Sequence, residues 1–94
     1  MQIQFEWDDE KNRSNKKKHA VSFEEAATIF SNFPLEVFFD PHHSEHESRY
    51  IAVGYSNMQR CLLVVHCENQ SGTKIRIISA RKATRKESKD VFGG

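Results

Sequence analysis

The chain has 94 residues, 37% hydrophobic and 29% charged, with seven Phe, two Tyr and one Trp; that is the size of one domain and too apolar and aromatic for a disordered chain. The longest apolar run, Cys61 to Val65, is five residues against about 20 for a membrane helix, and MQIQFEWDDE lacks the basic start and apolar core of a signal peptide, so a cytosolic protein is expected. The net charge of +1 conceals an acidic middle between two basic segments: residues 74–94 carry seven Lys/Arg against two Asp/Glu, residues 20–73 two against seven. Such a chain can present a basic face to a polyanion or an acidic partner, or simply carry solvated helix faces.

Ile3, Phe5 and Trp7 alternate with polar residues and read as a short strand. Asp8 or Asp9 can cap a helix running to about Lys18, acidic in its first turn and basic in its last. That helix is almost wholly polar and must lean on the body through few contacts. Ser22-Phe23-Glu24-Glu25 reads as a capping box, with Glu25 reaching back to Ser22. Phe23, Ala26, Ala27 and Phe30 follow at helical spacing, until Phe33-Pro34 stops the helix. Four strands come next: Glu36 to Asp40, Arg49 to Tyr55 with Ile51, Val53 and Tyr55 on one face, Arg60 to Glu68, and Thr73 to Ala80. Ala83 to about Val91 closes the chain as a basic helix. The order is β-α-α-β-β-β-β-α, which predicts one α+β domain over residues 1–94: an antiparallel meander, two N-terminal helices packed on one face, and a C-terminal helix.

Cys61 and Cys67 lie in one predicted strand, about 20 Å apart, too far for a disulfide, and read as buried thiols. The histidine-rich stretch Pro41-His42-His43-Ser44-Glu45-His46 has imidazoles but no metal-site spacing, and no metal or cofactor is expected. Four glycines, two of them terminal, leave no phosphate-cradling loop. His66 alternates with Val65 and Cys67 and reads as a sheet residue. His19 follows the basic run Lys16-Lys17-Lys18 and is either a proton shuttle or a residue that complements the helix dipole. Lys74, Arg76, Arg81, Lys82, Arg85, Lys86 and Lys89 gather on the last strand and helix, where arginine forks suit phosphate oxygens. Strand alternation puts Arg76 on one face and Arg81, if the strand reaches it, on the other. Arg49 opens an earlier strand next to Glu45 and Glu47, either of which can pair with it.

Phe5-Glu6-Trp7-Asp8, Lys11, Asn15, Lys18-His19, Val21 to Ala26, Arg49 with Gly54, and above all Ile75 to Ala83 followed by Glu87 resemble the BrnT-type toxins. Ala20 stands where that family commonly has glycine, and the tail after Glu87 is shorter than usual. The resemblance implies a RelE-like α+β ribonuclease that arrests translation. It implies a BrnA-type antitoxin as partner, RNA as substrate and operator DNA bound only through the antitoxin; the short apolar runs leave no membrane partner expected. Metal-free cleavage would use the ribose 2′-OH as nucleophile, which requires proton transfer and stabilisation of a phosphorane. Arg81 and Arg49 are expected on the phosphate, His19 and Glu25 as acid and base, and Lys18, Arg76, Lys82 and Arg85 on flanking phosphates. The alternatives are a non-catalytic nucleic-acid-binding module and a domain whose basic face meets only an acidic antitoxin segment.

Overall fold

The computed structural model describes residues 2–44 and 47–93. Its elements follow the predicted order: β1 (Gln4–Glu6), α1 (Asp9–His19), α2 (Phe23–Ala27), β2 (Leu35–Phe39), β3 (Arg49–Tyr55), β4 (Cys61–Glu68), β5 (Lys74–Lys82) and α3 (Arg85–Phe92). A 3-10 turn over Thr28–Ser31 extends α2, and another over Pro41–His43 follows β2.

The five strands form one sheet in the order β1-β5-β4-β3-β2. β2 to β5 are the expected antiparallel meander. The sheet as a whole is mixed, because β1 joins at the edge, parallel to β5, with Phe5 opposite Ile75 and Glu6 opposite Arg76. A three-residue strand cannot stand alone, and the parallel edge of β5 gives it a ladder while Phe5 and Trp7 pack on the core.

The core lies on one face of the sheet. Ala52, Leu62, Val64, Ile75, Ile77 and Ala80 point into it from the strands, and Val21, Phe23, Ala26 and Ile29 close it from the helical side. Beyond β1 the outer edge of β5 would leave backbone groups unpaired. Asn15 of α1 covers them: its side-chain amide donates to the Ala80 carbonyl at 2.7 Å and its oxygen accepts from the Ala80 N–H at 3.2 Å. Asn15 is the one buried residue of α1, which explains how so polar a helix docks.

The caps form largely as expected. Asp8 accepts from the Lys11 N–H at 3.0 Å, and Ser22 from the Glu25 N–H at 3.0 Å. The Glu25 carboxylate does not reach back to Ser22; it is drawn to Arg60, a stronger, charged donor. The complete capping box is that of α3, where Thr84 and Glu87 satisfy each other's backbone.

Candidate functional site

The second face of the sheet is the open one. Ile51, Leu63 and Val65 are only half-buried there, and α3 reaches it at one end, where the tilted ring of Phe92 packs against Tyr55 with centroids 5.7 Å apart. Cross-strand partners share a face. Arg49 lies opposite Cys67, and Cys67 opposite Arg76, so both guanidiniums rise from this face on either side of Cys67. Two strand spacings put their Cα atoms about 10 Å apart.

The expectation that Arg76 and Arg81 take opposite faces is overturned. Val65 pairs with Ser79 and His66 with Ile77, so Ile78 is an extra residue, a β-bulge in β5. The bulge resets the alternation. Arg81 lies opposite Leu63 and Arg76 opposite Cys67, four residues apart on one strand, and both therefore face the same way.

Arg49, Arg76, Ile77, Ile78, Lys11, Asp8 and Glu47 line an open cavity of about 310 Å³. Glu47 forms an ion pair with Arg76 rather than with Arg49. The other acidic neighbour expected for Arg49, Glu45, lies outside the described residues. The Arg49 Nε is buried and has no hydrogen-bond partner among the described residues. A buried guanidinium N–H without an acceptor is costly, and an anionic oxygen entering the cavity would satisfy it.

Arg81 occupies the other end of β5. Its two terminal nitrogens donate to the two carboxylate oxygens of Glu87 at 2.8 Å each. This fork, helped by the Thr84 N–H, pushes the Glu87 carboxyl down to about 2 and raises Arg81 further above its ordinary value. The pair ties α3 to the sheet. Lys82, opposite Leu62, points to the helical face at the strand's end. Arg85 is exposed in the first turn of α3.

The remaining expected site residues sit apart from the Arg49–Arg76 cavity. α1 runs beside β5 in the same direction, with Asp8 and Lys11 near Ile77 and Asn15 on Ala80. Lys18 and His19, exposed in its last turn, therefore lie toward the Arg81 end. Glu25 is 8% exposed. It accepts from Arg60 Nε at 2.9 Å and from the Ser56 hydroxyl at 2.7 Å, with a second contact to the Arg60 guanidinium. Arg60 lowers its pKa, and the Ser56 hydroxyl assists against the opposing effect of burial. Arg60 also donates to the Ala20 carbonyl at 2.9 Å, where Ala20 adopts a positive φ of 58° as the C-cap of α1. Glu25 thus closes a clamp between α2, the end of α1 and the β3–β4 turn.

Sequence reasoning placed Lys11 in a basic cluster and Glu47 beside Arg49, without assigning either to the site. What brings them to the cavity is the placement of α1 along β5 and the ion pair of Glu47 with Arg76. In the histidine-rich loop, His43 Nδ1 lies 2.9 Å from Asp40, which keeps the Asp40 carboxyl below its usual range. Among the described residues no three His, Cys, Asp or Glu side chains gather as a metal-ligand set; Glu45 and His46 lie outside them. Cys61 and Cys67 are free thiols on β4, Cys67 buried and Cys61 half-buried.

Comparison with known proteins gives one consistent result. Residues 7–87 match the family model described as the ribonuclease toxin, BrnT, of type II toxin–antitoxin systems. The fold is similar to the crystal structure of the Brucella abortus ribonuclease toxin, BrnT, with a TM-score of 0.64 and 22% sequence identity over 88% of this chain and 99% of that one. No curated protein sequence matches. No helix among the described residues is long and apolar enough to cross a membrane.

Proposed function

Because the chain belongs to the BrnT family of ribonuclease toxins of type II toxin–antitoxin systems, we propose that it cleaves RNA in the cytoplasm without a metal ion. By this reading it inhibits translation, is neutralised by a BrnA-type antitoxin, and meets operator DNA only through that antitoxin. A kinship with RelE-type toxins belongs to the same proposal.

The observation that carries the reading is the buried Nε of Arg49, without a hydrogen-bond partner among the described residues, beside Arg76 and Lys11. Two guanidiniums and an ammonium around one cavity form a phosphate site, and the planar forks match phosphate oxygens bidentately. In the proposed reaction the scissile phosphate sits between Arg49 and Arg76. The 2′-oxygen attacks phosphorus and the bond to the 5′-oxygen breaks, leaving a 2′,3′-cyclic phosphate and a free 5′-hydroxyl. The arginines stabilise the charge that builds on the equatorial oxygens, an effect worth about 10²–10³-fold for one well-aimed donor. Glu47, once phosphate displaces it from Arg76, is a carboxylate within the cavity that can take the 2′-OH proton. Lys11 carries a proton for the leaving oxygen.

Arg81, Lys82, Lys18 and Arg85 serve flanking phosphates toward the other end of β5, with His19 beside them. Glu25 enters this scheme through the Arg60 clamp, as support for the fold, in place of the acid–base role expected from the sequence. The test is cleavage of RNA in the presence of a chelator by the purified chain and by Arg49→Ala and Arg76→Ala variants of verified fold. Fragments ending in 2′,3′-cyclic phosphate, reduced at least about 100-fold in each variant, support the assignment. An Arg49→Ala protein with undiminished cleavage refutes the site; RNA left intact by the unsubstituted chain refutes the activity.

A further inference from the structure

β2 is an edge strand with an unusual composition. Val37, Phe38 and Phe39 are 43%, 47% and 54% exposed, and Phe33 just before the strand is 93% exposed. Natural edge strands are commonly blunted by charged side chains, lysine above all, by proline, a bulge or a covering segment. Within Leu35–Phe39 the single charge is Glu36, there is no lysine, proline or bulge, and no described residue pairs with the outer side of β2.

The backbone direction of that edge follows from its pairing with β3. Asp40 and Arg49 are opposite each other, and the Asp40 N–H donates to the Arg49 carbonyl at 2.8 Å. Hydrogen-bonded and non-bonded pairs alternate along an antiparallel ladder. Asp40, Phe38 and Glu36 therefore turn their backbone groups toward β3. Leu35, Val37 and Phe39 turn theirs outward, offering three donors and three acceptors at alternate positions.

The geometry points to a second copy of this chain as the occupant, with β2 pairing antiparallel to β2 about a two-fold axis through Val37. In this register Val37 meets Val37, Leu35 meets Phe39, and Glu36 meets Phe38. The outward groups of Leu35, Val37 and Phe39 are then all satisfied, and aliphatic side chains lie against aromatic ones. The neighbouring registers fail on charge. Centring on Glu36 sets two carboxylates directly opposite each other, and centring on Phe38 sets Glu36 against Asp40. Like charges at such positions are destabilising. Self-pairing thus has one favourable register, and the strand's own sequence selects it.

The result is a continuous ten-stranded sheet. Directly paired residues share a face, so both helical layers lie on one side and both arginine-bearing faces on the other. The inference is independent of the RNA-cleavage reading.

The test uses the full chain in sedimentation velocity over a concentration series reaching a few hundred micromolar. A reversible dimer is expected. Val37→Lys, which places two ammonium groups together on the axis, should weaken it at least about tenfold while leaving the far-UV spectrum unchanged. A second measurement does not depend on that variant. On the axis the Cα atoms of a hydrogen-bonded pair are about 5.5 Å apart, within disulfide reach, whereas the two copies of residue 36 are more than about 7 Å apart. Val37→Cys should therefore cross-link under mild oxidation well above the background of the unsubstituted chain, and Glu36→Cys should not. A monomer at every concentration overturns the inference. So does a dimer indifferent to Val37→Lys, equal cross-linking at positions 36 and 37, or a β2 edge that stays unpaired until a protein of different sequence adds to it.

Discussion

Replacing Glu25 with glutamine separates a clamp from a catalytic acid or base. The carboxylate, 7% exposed, pairs with Arg60, which is 27% exposed, and accepts from Ser56. Hydrogen bonds to charged groups contribute about 1.5–3 kcal/mol each, and breaking a buried pair from one side costs about 3–5 kcal/mol. Arg60 retains access to water and can be partly resolvated, which brings the expected loss to or below the bottom of that range, about 2–3 kcal/mol. For a domain of this size that lowers Tm by roughly 10–20 °C. Urea unfolding reads it directly, and a double-mutant cycle with Arg60→Ala should return a coupling of about 1–3 kcal/mol. The pH dependence has a defined sign. Glu25 titrates below its ordinary 4.5 in the folded protein, so its contribution is present above that pH and is lost as pH falls through the folded value. The glutamine variant should lose that part of the acid slope. A coupling near zero would refute the clamp, as would a variant of unchanged stability whose RNA cleavage is abolished.

Two further outcomes follow from the buried polar groups. Asn15→Ala removes the bonds to Ala80 and the 2.9 Å bond to the Val21 carbonyl; leaving these backbone groups unpaired should cost about 2–4 kcal/mol in chemical denaturation, and a loss below about 0.5 kcal/mol would show that the β5 edge needs no cover. His66 is fully buried, stacked on Tyr50 with its edge-to-face neighbour Phe30, and among the described residues neither ring nitrogen has a hydrogen-bond partner, the Glu68 carboxylate lying 3.6 Å from Nε2. Burial lowers its pKa, only partly offset by Glu68, so the unfolded chain binds the proton more readily. Stability should hold above about pH 6.5 and fall by up to about 1.4 kcal/mol per pH unit below it; His66→Phe should flatten that limb, and an unchanged slope would exclude His66 as its source.

Local chemistry fixed most of the element order in advance. Asp8 and Ser22 cap because a short side-chain oxygen at those positions meets free helix N–H groups, and the alternation of Ile51, Val53 and Tyr55 declares a strand with two unlike faces. The blocks around Lys18-His19 and Ile75 to Ala83 were enough to suggest the family. What sequence could not decide is non-local. Nothing in Gln4–Glu6 says that it pairs parallel to a strand some seventy residues later. Glu25 looked like half of a capping box because its cap partner is three residues away, while the arginine that captures it is 35 residues away. The side chains of Arg76 and Arg81 come to one face only because β5 holds one residue more than β4 can pair, a mismatch between two strands that neither strand's alternation records. The cavity of Arg49, Arg76 and Lys11 likewise draws on β3, β5 and α1 at once. Periodicity and capping report forces within a few residues, and so the sequence by itself settled the elements and the family; register, edge pairing and the grouping of charges were settled by contacts that exist only once the chain has folded.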